Sequence, residues 1–128
     1  MSKDLKNIII NENETIKNAI KRLNSSGKKI LLVVDNKNKL QGTLTDGDIR
    51  KSIIKIFNLN NKIKNIFQKK SYYLIENSFN KLDVKKLLIN KKISLIPIVN
   101  KNKILKDYIS VDDFLNNQKF IKKDNKVS

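Results

Sequence analysis

Apolar residues fall along this chain in two alternating spacings. Ile16, Ala19, Ile20 and Leu23 stand at i, i+3, i+4 and i+7, the stripe of an amphipathic helix. Asn13 or Thr15 can cap its start, and Gly27 can end it. An unbroken apolar run from Ile30 to Val34 follows, then a polar turn of Asp, Asn and Lys, then a second run from Leu40. Two apolar runs around a short polar turn predict a β-hairpin. Ile49, Ile53 and Phe57 then line one face of a second helix, and Ile8-Ile9-Ile10 supplies a strand ahead of the first. The predicted order is strand, helix, strand, strand, helix.

That order occurs twice, at a constant offset of 65 residues. The segment from Ile30 to Leu40 matches the one from Leu95 to Leu105, and Thr45 then pairs with Ser110, Asp48 with Asp113 and Ile49 with Phe114. In the second copy Tyr72-Tyr73-Leu74-Ile75 leads, Leu82, Val84, Leu87 and Leu88 form the first helix with a register looser by about one residue, and Phe114 and Leu115 begin the last. A unit of roughly 55 residues buries too little surface to stand alone, so the copies are expected to pack face to face as one α/β body with pseudo-twofold symmetry. The boundaries expected are 5–57 for the first βαββα motif, 58–70 for a connector and 71–116 for the second motif. Residues 117–128 read as a polar tail or linker stub. The connector carries Ile63, Ile66 and Phe67, enough for one helical turn docked on the body.

The length, 128 residues, suits one compact domain, and 39% hydrophobic residues can form a modest core. The chain has no Cys and no His, which removes disulfides, thiol nucleophiles, the common zinc sites and Ser-His-Asp or Cys-His catalysis. No segment approaches the ~20 apolar residues that span a bilayer, and the expected location is the cytoplasm, away from membranes. Lys and Arg number 28 against 12 Asp and Glu, a formal net charge of +16. So basic a chain raises nucleic acid as a partner. Arginine occurs only at Arg22 and Arg50, however, and the lysines are spread along the whole length among Asn and Ile. The fork that reads guanine is nearly absent, as is any aromatic platform beside the Lys69-Lys70 and Lys122-Lys123 runs, so no specific nucleic acid is expected.

The segment Gly42-Thr43-Leu44-Thr45-Asp46-Gly47-Asp48-Ile49-Arg50 holds the candidate chemistry. It puts a hydroxyl at a strand end and a carboxylate three residues on, in the first turn of a helix. Thr45-x-x-Asp48 and Ser110-x-x-Asp113 both fit a capping box, which satisfies free backbone N–H groups. The same geometry suits a nucleotide: helix N–H groups attract phosphate, and a fixed carboxylate accepts hydrogen bonds from a ribose diol. One side chain can serve both roles. Ribose then belongs at Asp48, with phosphate nearer Thr45 and Arg50. Gly42 and Gly47 would let backbone approach a ligand, or would serve a bulge or turn. With only three Gly, the chain lacks the phosphate loops of the P-loop and dinucleotide types.

Leu31-Leu32-Val33-Val34-Asp35 followed by the Gly42 to Arg50 segment resembles a cystathionine-β-synthase (CBS) domain, and the two copies resemble a CBS pair, or Bateman module, over roughly residues 5 to 116. The wording Thr-Asp-Gly-Asp-Ile-Arg is similar to CBS pairs ahead of sugar-phosphate nucleotidyltransferases. The resemblance implies regulation by ligand binding, with no catalysis and no catalytic cofactor. In the family AMP, ADP or ATP, and sometimes S-adenosylmethionine, lies between the motifs. Carried over, Asp48 binds ribose, Thr45 contacts ribose or phosphate, and Asp113 and Ser110 serve a second site. Arg50 as a phosphate contact is an electrostatic inference. Asp107 stands in the second copy where the first has Gly42, adding bulk and charge, which ranks the first site above the second. The resemblance further implies a homodimer joined through helices, with Ile53, Ile56 and Phe57 as candidate contacts unless they are core, and a partner or fused catalytic domain. The alternatives are a ligand-free dimerisation scaffold and a basic nucleic-acid-binding protein.

Overall fold

The computed structural model describes residues 5–56, 58–91 and 93–116. Its first half runs α1 (Leu5–Ile8), β1 (Ile9–Asn11), α2 (Ile16–Ser26), β2 (Ile30–Val34), β3 (Leu40–Thr45) and α3 (Asp46–Ile56). Its second half runs β4 (Leu74–Ile75), α4 (Lys81–Lys85), a π-helical turn (Lys86–Asn90), β5 (Leu95–Val99), β6 (Leu105–Ser110) and α5 (Val111–Asn116). Thr15 caps α2 by accepting the Asn18 N–H, and Gly27 closes it in the left-handed conformation at φ 70°. In the second half Asn80 and Asp83 form a full capping box on α4.

Each half is a three-stranded sheet with the central strand parallel to one neighbour and antiparallel to the other: β1-β2-β3 and β4-β5-β6. The bulges recur at the repeat offset, at Val33/Val34 and at Ile98/Val99. Strand alternation divides the core into three. Leu31 and Val33 face α2, joining Ala19, Leu23 and Ile49. Leu32 and Val34 face the opposite sheet, meeting Leu95, Val99 and Leu105. Ile96 and Ile98 face the helices of the second half, with Val84 and Leu88. β2 and β5 are therefore buried on both sides, which is why they read as unbroken apolar runs rather than alternating ones. Each fully buried Leu or Ile contributes about 1.5–3 kcal/mol relative to exposure.

A hydrogen-bonded seam marks the pseudo-twofold axis. The Leu40 N–H donates to the Lys103 carbonyl at 2.9 Å, and the Leu105 N–H donates to the Asn38 carbonyl at 3.0 Å. These are one bond and its symmetry mate. Both seam turns use a residue at positive φ, Asn38 at 64° and Lys103 at 67°. Both are also braced from within: Asp35 Oδ1 accepts the N–H groups of Lys37 and Lys39, and Asn100 Oδ1 accepts those of Asn102 and Ile104. The Lys39 N–H bond, the largest cause, holds the Asp35 carboxyl below its ordinary pKa.

The connector is part of the first half's structure. Asn61 and Leu59 carbonyls accept the free N–H groups of Ile16 and Lys17 at the start of α2, at 2.8 and 2.9 Å. Its short helical turn, Ile63–Asn65, buries Ile63 completely, and Phe67 is 7% exposed in the same core. Gln68 then pairs with Thr43 on the outer edge of β3 through two backbone bonds of 2.8 and 3.0 Å.

Several expectations need correction. Ile8 ends a short helix rather than opening a strand, because Leu5 and Ile8 are one turn apart and both fill the layer between the sheets. Tyr72 and Tyr73 precede β4 and are half exposed. Leu82 is 56% exposed, since Val84 and Leu88 take the buried face of α4 and its π turn. Ile53 packs against the core and is no surface contact; Ile54, 80% exposed, points outward in its place. Leu115 is also exposed, although Phe114 packs inward. The side chain of Ile56, Phe57 and the expected tail at 117–128 lie outside the described residues.

Candidate functional site

At the end of β3 the chain turns directly into α3. The Thr45 N–H donates to Asp48 Oδ2 at 3.0 Å, and the Asp48 N–H donates to Thr45 Oγ1 at 3.1 Å. At the end of β6 the Ser110 N–H donates to Asp113 Oδ2 and the Asp113 N–H to Ser110 Oγ, both at 3.1 Å. Both pairs thus form the reciprocal cap that their spacing predicts. The cap has a chemical consequence: in each pair it fixes one carboxylate oxygen on the backbone, so that any further donor to Asp48 is directed to the other. Gln68 Nε2 donates to that other oxygen of Asp48 at 3.2 Å.

Two clefts flank the pseudo-twofold axis between the halves. The first, about 250 Å³, lies between Thr43 and Thr45 on one side and Ile93 and Ser94 on the other, with Gln68 and Lys70 at its border. The second, about 240 Å³, lies between Ser110 and Asp112 on one side and Lys28 and Lys29 on the other. Ile30 and Leu95, counterparts under the offset, line both. The clefts are therefore one site and its pseudo-symmetric copy, with different polar groups. Both are edged by hydroxyls, Ser94 among them; the first adds one lysine, the second two lysines and a carboxylate.

Asp48 sits behind the first cleft, in an adjoining hollow of about 240 Å³. Asp48, Lys51, Ser52 and Lys55 line it at i, i+3, i+4 and i+7 on α3, opposite Ile66 and Gln68. Gln68 borders both cleft and hollow. Thr45 is thus brought to the first cleft and Asp48 to the adjoining hollow, with Gln68 bordering both. Arg50 is not brought to either space: it is exposed and pairs with Asp46 at 3.3 Å, one helical turn back on α3. Asp113 is held by Ser110, and it is Asp112 that lines the second cleft.

Two readings of individual residues change. Gly42 admits backbone, as expected, but the backbone is the connector's: a Cβ there would run into the Gln68 carbonyl oxygen and lie 2.9 Å from the Phe67 ring. Asp107, expected beside the second cleft, does not line it among the described residues; its Oδ1 accepts the Tyr108 N–H at 2.8 Å. The residues that sequence reasoning passed over are Gln68, Ser94, Lys51, Lys55 and the Lys28-Lys29 pair. The offset itself held the signal for part of this set, since it places Lys28-Lys29 opposite Ile93-Ser94 just before the central strands.

A larger hollow, about 420 Å³, lies on the second half against Tyr73, Leu74, Lys86 and Leu87. Neither hydroxyl–carboxylate pair reaches it, and its one acid, Asp83, is held by the Asn80 cap. Among the described residues no cluster of acids could hold a metal ion, and no helix is long and apolar enough to cross a membrane. Among the described residues no second carboxylate lines the Asp48 hollow, whose titratable neighbours are Lys51 and Lys55; the arrangement can bind and orient a polar ligand.

Residues 1–55 match the family model for the CBS domain. No curated protein matches the sequence. Among solved structures the chain is similar to a CBS domain pair/ACT domain protein from Thermotoga maritima, with a TM-score of 0.73 and 18% identity over 91% of this chain and 96% of that one. It is also similar to CBSX2 in complex with AMP, with a TM-score of 0.74 and 19% identity over 89% of this chain and 88% of that one. A third likeness is to the cytosolic domain of the Mg2+ channel MgtE in complex with ATP, with a TM-score of 0.71 and 20% identity over 85% of this chain and 44% of that one.

Proposed function

We propose, from the CBS-pair fold as premise, that this chain is a non-catalytic regulatory module that takes an adenine nucleotide in the cleft at Thr45. The observation that carries the reading is the paired geometry: the strand-end hydroxyls Thr45 and Ser110 line the two clefts between the halves, and each is locked in a reciprocal cap to a helix-start carboxylate. The Asp48 carboxylate is fixed by its cap through Oδ2 and can offer Oδ1, which accepts from Gln68, to a diol. Ile30, Ile93 and Leu95 offer apolar surface for a base. That CBSX2 was solved with AMP and the MgtE domain with ATP supports adenine nucleotides as the ligand class. AMP, ADP, ATP and S-adenosylmethionine are the candidates.

The first cleft ranks above the second because Asp112 places a negative charge in the second, where a phosphate would lie. Signal output passes through a homodimer to a partner or fused enzyme, which the Thr45-Asp46-Gly47-Asp48-Ile49-Arg50 wording suggests is a sugar-phosphate nucleotidyltransferase. A ligand shifts such an assembly only by its different affinity for two arrangements. Calorimetric titration at about 0.15 M salt, which screens loose phosphate attraction to a basic surface, tests the reading. Saturable binding of one adenine ligand, lost in Asp48→Ala and in the shape-conserving Asp48→Asn, is expected. Flat titrations with all four ligands would leave a dimerisation scaffold instead.

A further inference from the structure

The hollow behind Asp48 has a composition unlike the cleft in front of it. Its wall on α3 is a single helical face on which a carboxylate is followed one turn on by Lys51 and two turns on by Lys55. Seven residues of helix span about 10 Å, close to the length of a di- or triphosphate chain. Neither lysine has a carboxylate partner among the described ion pairs, in which Arg50 and Asp46 are joined instead. Gln68 borders both the hollow and the cleft, and its side-chain amide rests on Asp48 Oδ1.

Gln68 is held firmly by its backbone and lightly by its side chain. Its backbone is fixed against Thr43 by two hydrogen bonds, and its approach is possible because residue 42 is a glycine. Its side chain is exposed and holds Asp48 by a single 3.2 Å bond. A ribose hydroxyl can donate to Asp48 Oδ1 just as the amide does, so a nucleoside replaces the amide bond for bond. Once the amide swings away, the cleft and the hollow share the Asp48 carboxylate and become one elongated site.

We propose that the Lys51–Lys55 hollow is a polyphosphate seat opened by displacing Gln68, so that the Asp48 site selects nucleoside di- and triphosphates over monophosphates. This rests on the nucleotide reading above and adds its ligand class. The base lies against Ile30 and Leu95, the diol replaces Gln68 on Asp48, and the phosphates run along α3 over the two lysines. Two exposed lysine–phosphate contacts, each of ordinary surface strength, give a preference of about tenfold for ATP over AMP.

The test is calorimetry with AMP, ATP and tripolyphosphate at about 0.15 M salt. Wild type is compared with Lys51→Gln/Lys55→Gln, with Gln68→Ala, and with Lys17→Gln/Lys21→Gln, which removes the same charge from α2. The expected result is an ATP:AMP affinity ratio of about ten in wild type and in the α2 variant, falling toward one in Lys51→Gln/Lys55→Gln. Gln68→Ala should bind both nucleotides about threefold more tightly, the worth of one exposed hydrogen bond. A ratio insensitive to Lys51 and Lys55, or an unchanged affinity in Gln68→Ala, overturns the proposal while leaving a nucleotide site in place. Tripolyphosphate binding as tightly as ATP also overturns it, since the seat would then be independent of Asp48. Absence of binding by either nucleotide in every variant overturns the nucleotide reading itself and the proposal with it.

Discussion

Gly42→Ala puts one methyl group where the structure has the connector. The added Cβ would overlap the Gln68 carbonyl oxygen and stand 2.9 Å from both the Gln68 carbonyl carbon and the Phe67 ring. Backbone cannot rotate aside as a flexible side-chain tip can, so the connector must lift from β3. That breaks the two Thr43–Gln68 backbone bonds, at about 1 kcal/mol each. It also loosens Phe67, whose full exposure would cost about 1.5–3 kcal/mol. Ile63, buried at the far end of the same turn and anchored to Glu14, is expected to stay in place. The predicted loss is therefore about 2–4 kcal/mol in urea-induced unfolding at neutral pH. Gly47→Ala is the internal control, because its Cβ would meet only Thr45 Oγ1 at 3.8 Å, an ordinary contact. Alanine in a helix is more favourable than glycine, so that variant should match or exceed wild type by up to about 1 kcal/mol. If Gly42→Ala unfolds at the wild-type midpoint with an unchanged slope, the connector does not press on β3 and the reasoning about Gly42 and Gln68 fails.

Three further predictions concern the seam, the cap and the core. Asp35→Asn should keep its turn, since Asn100 makes the same two backbone bonds at the symmetric position, and should melt slightly below wild type at neutral pH, where the ionised carboxylate contributes. The Asp35 pKa is lowered in the folded state, so its contribution is present above the unfolded value of about 4 and is lost as pH falls through the folded value; melting curves from pH 7 to 3 should fall less steeply in the variant, and an identical slope would refute this. Thr45→Ala removes the acceptor for the Asp48 N–H and should cost about 1 kcal/mol in chemical denaturation, whereas Thr45→Ser should cost almost nothing. Leu32→Ala opens a hole in the layer between the sheets and should cost about 2–5 kcal/mol; a value below 1 would mean that the halves are not packed through that layer.

The sequence carried the repeat in unusual detail. Helix stripes, hairpins, both caps and the turn braces at Asp35 and Asn100 recur at one offset because each is a local solution, set by residues within a few positions of one another. Even the seam was half legible, in that polar turns of matching length put Asn38 and Lys103 at equivalent places. What depended on distant contacts was not. The connector's docked turn was legible from Ile63, Ile66 and Phe67, but only the fold brings Gln68 to Asp48, 20 residues back in the chain. Gly42 was read as room for a ligand or as part of a bulge or turn; the bulge lies beside it, and nothing local says that the approaching backbone is the connector's. Arg50 looked like a phosphate contact from charge alone, but its i−4 neighbour Asp46 takes it. In the second half the stripe was blurred by the π turn at Lys86–Asn90, which adds a residue to one turn and shifts the face on which Leu82 would lie.

The central claim is that a nucleotide lies in the cleft at Thr45, with its ribose on Asp48 in the adjoining hollow. Amide resonance mapping of the isotope-labelled full chain, titrated with AMP and then ATP at about 0.15 M salt, tests it most directly. The account predicts saturable shifts centred on Thr43, Thr45, Asp48, Gln68 and Ser94, with the Gln68 side-chain amide moving among the first, and with Arg50 and the Tyr73–Leu87 hollow little changed. Shifts spread over the lysine-rich surface without saturation, or centred on that outer hollow, would contradict it.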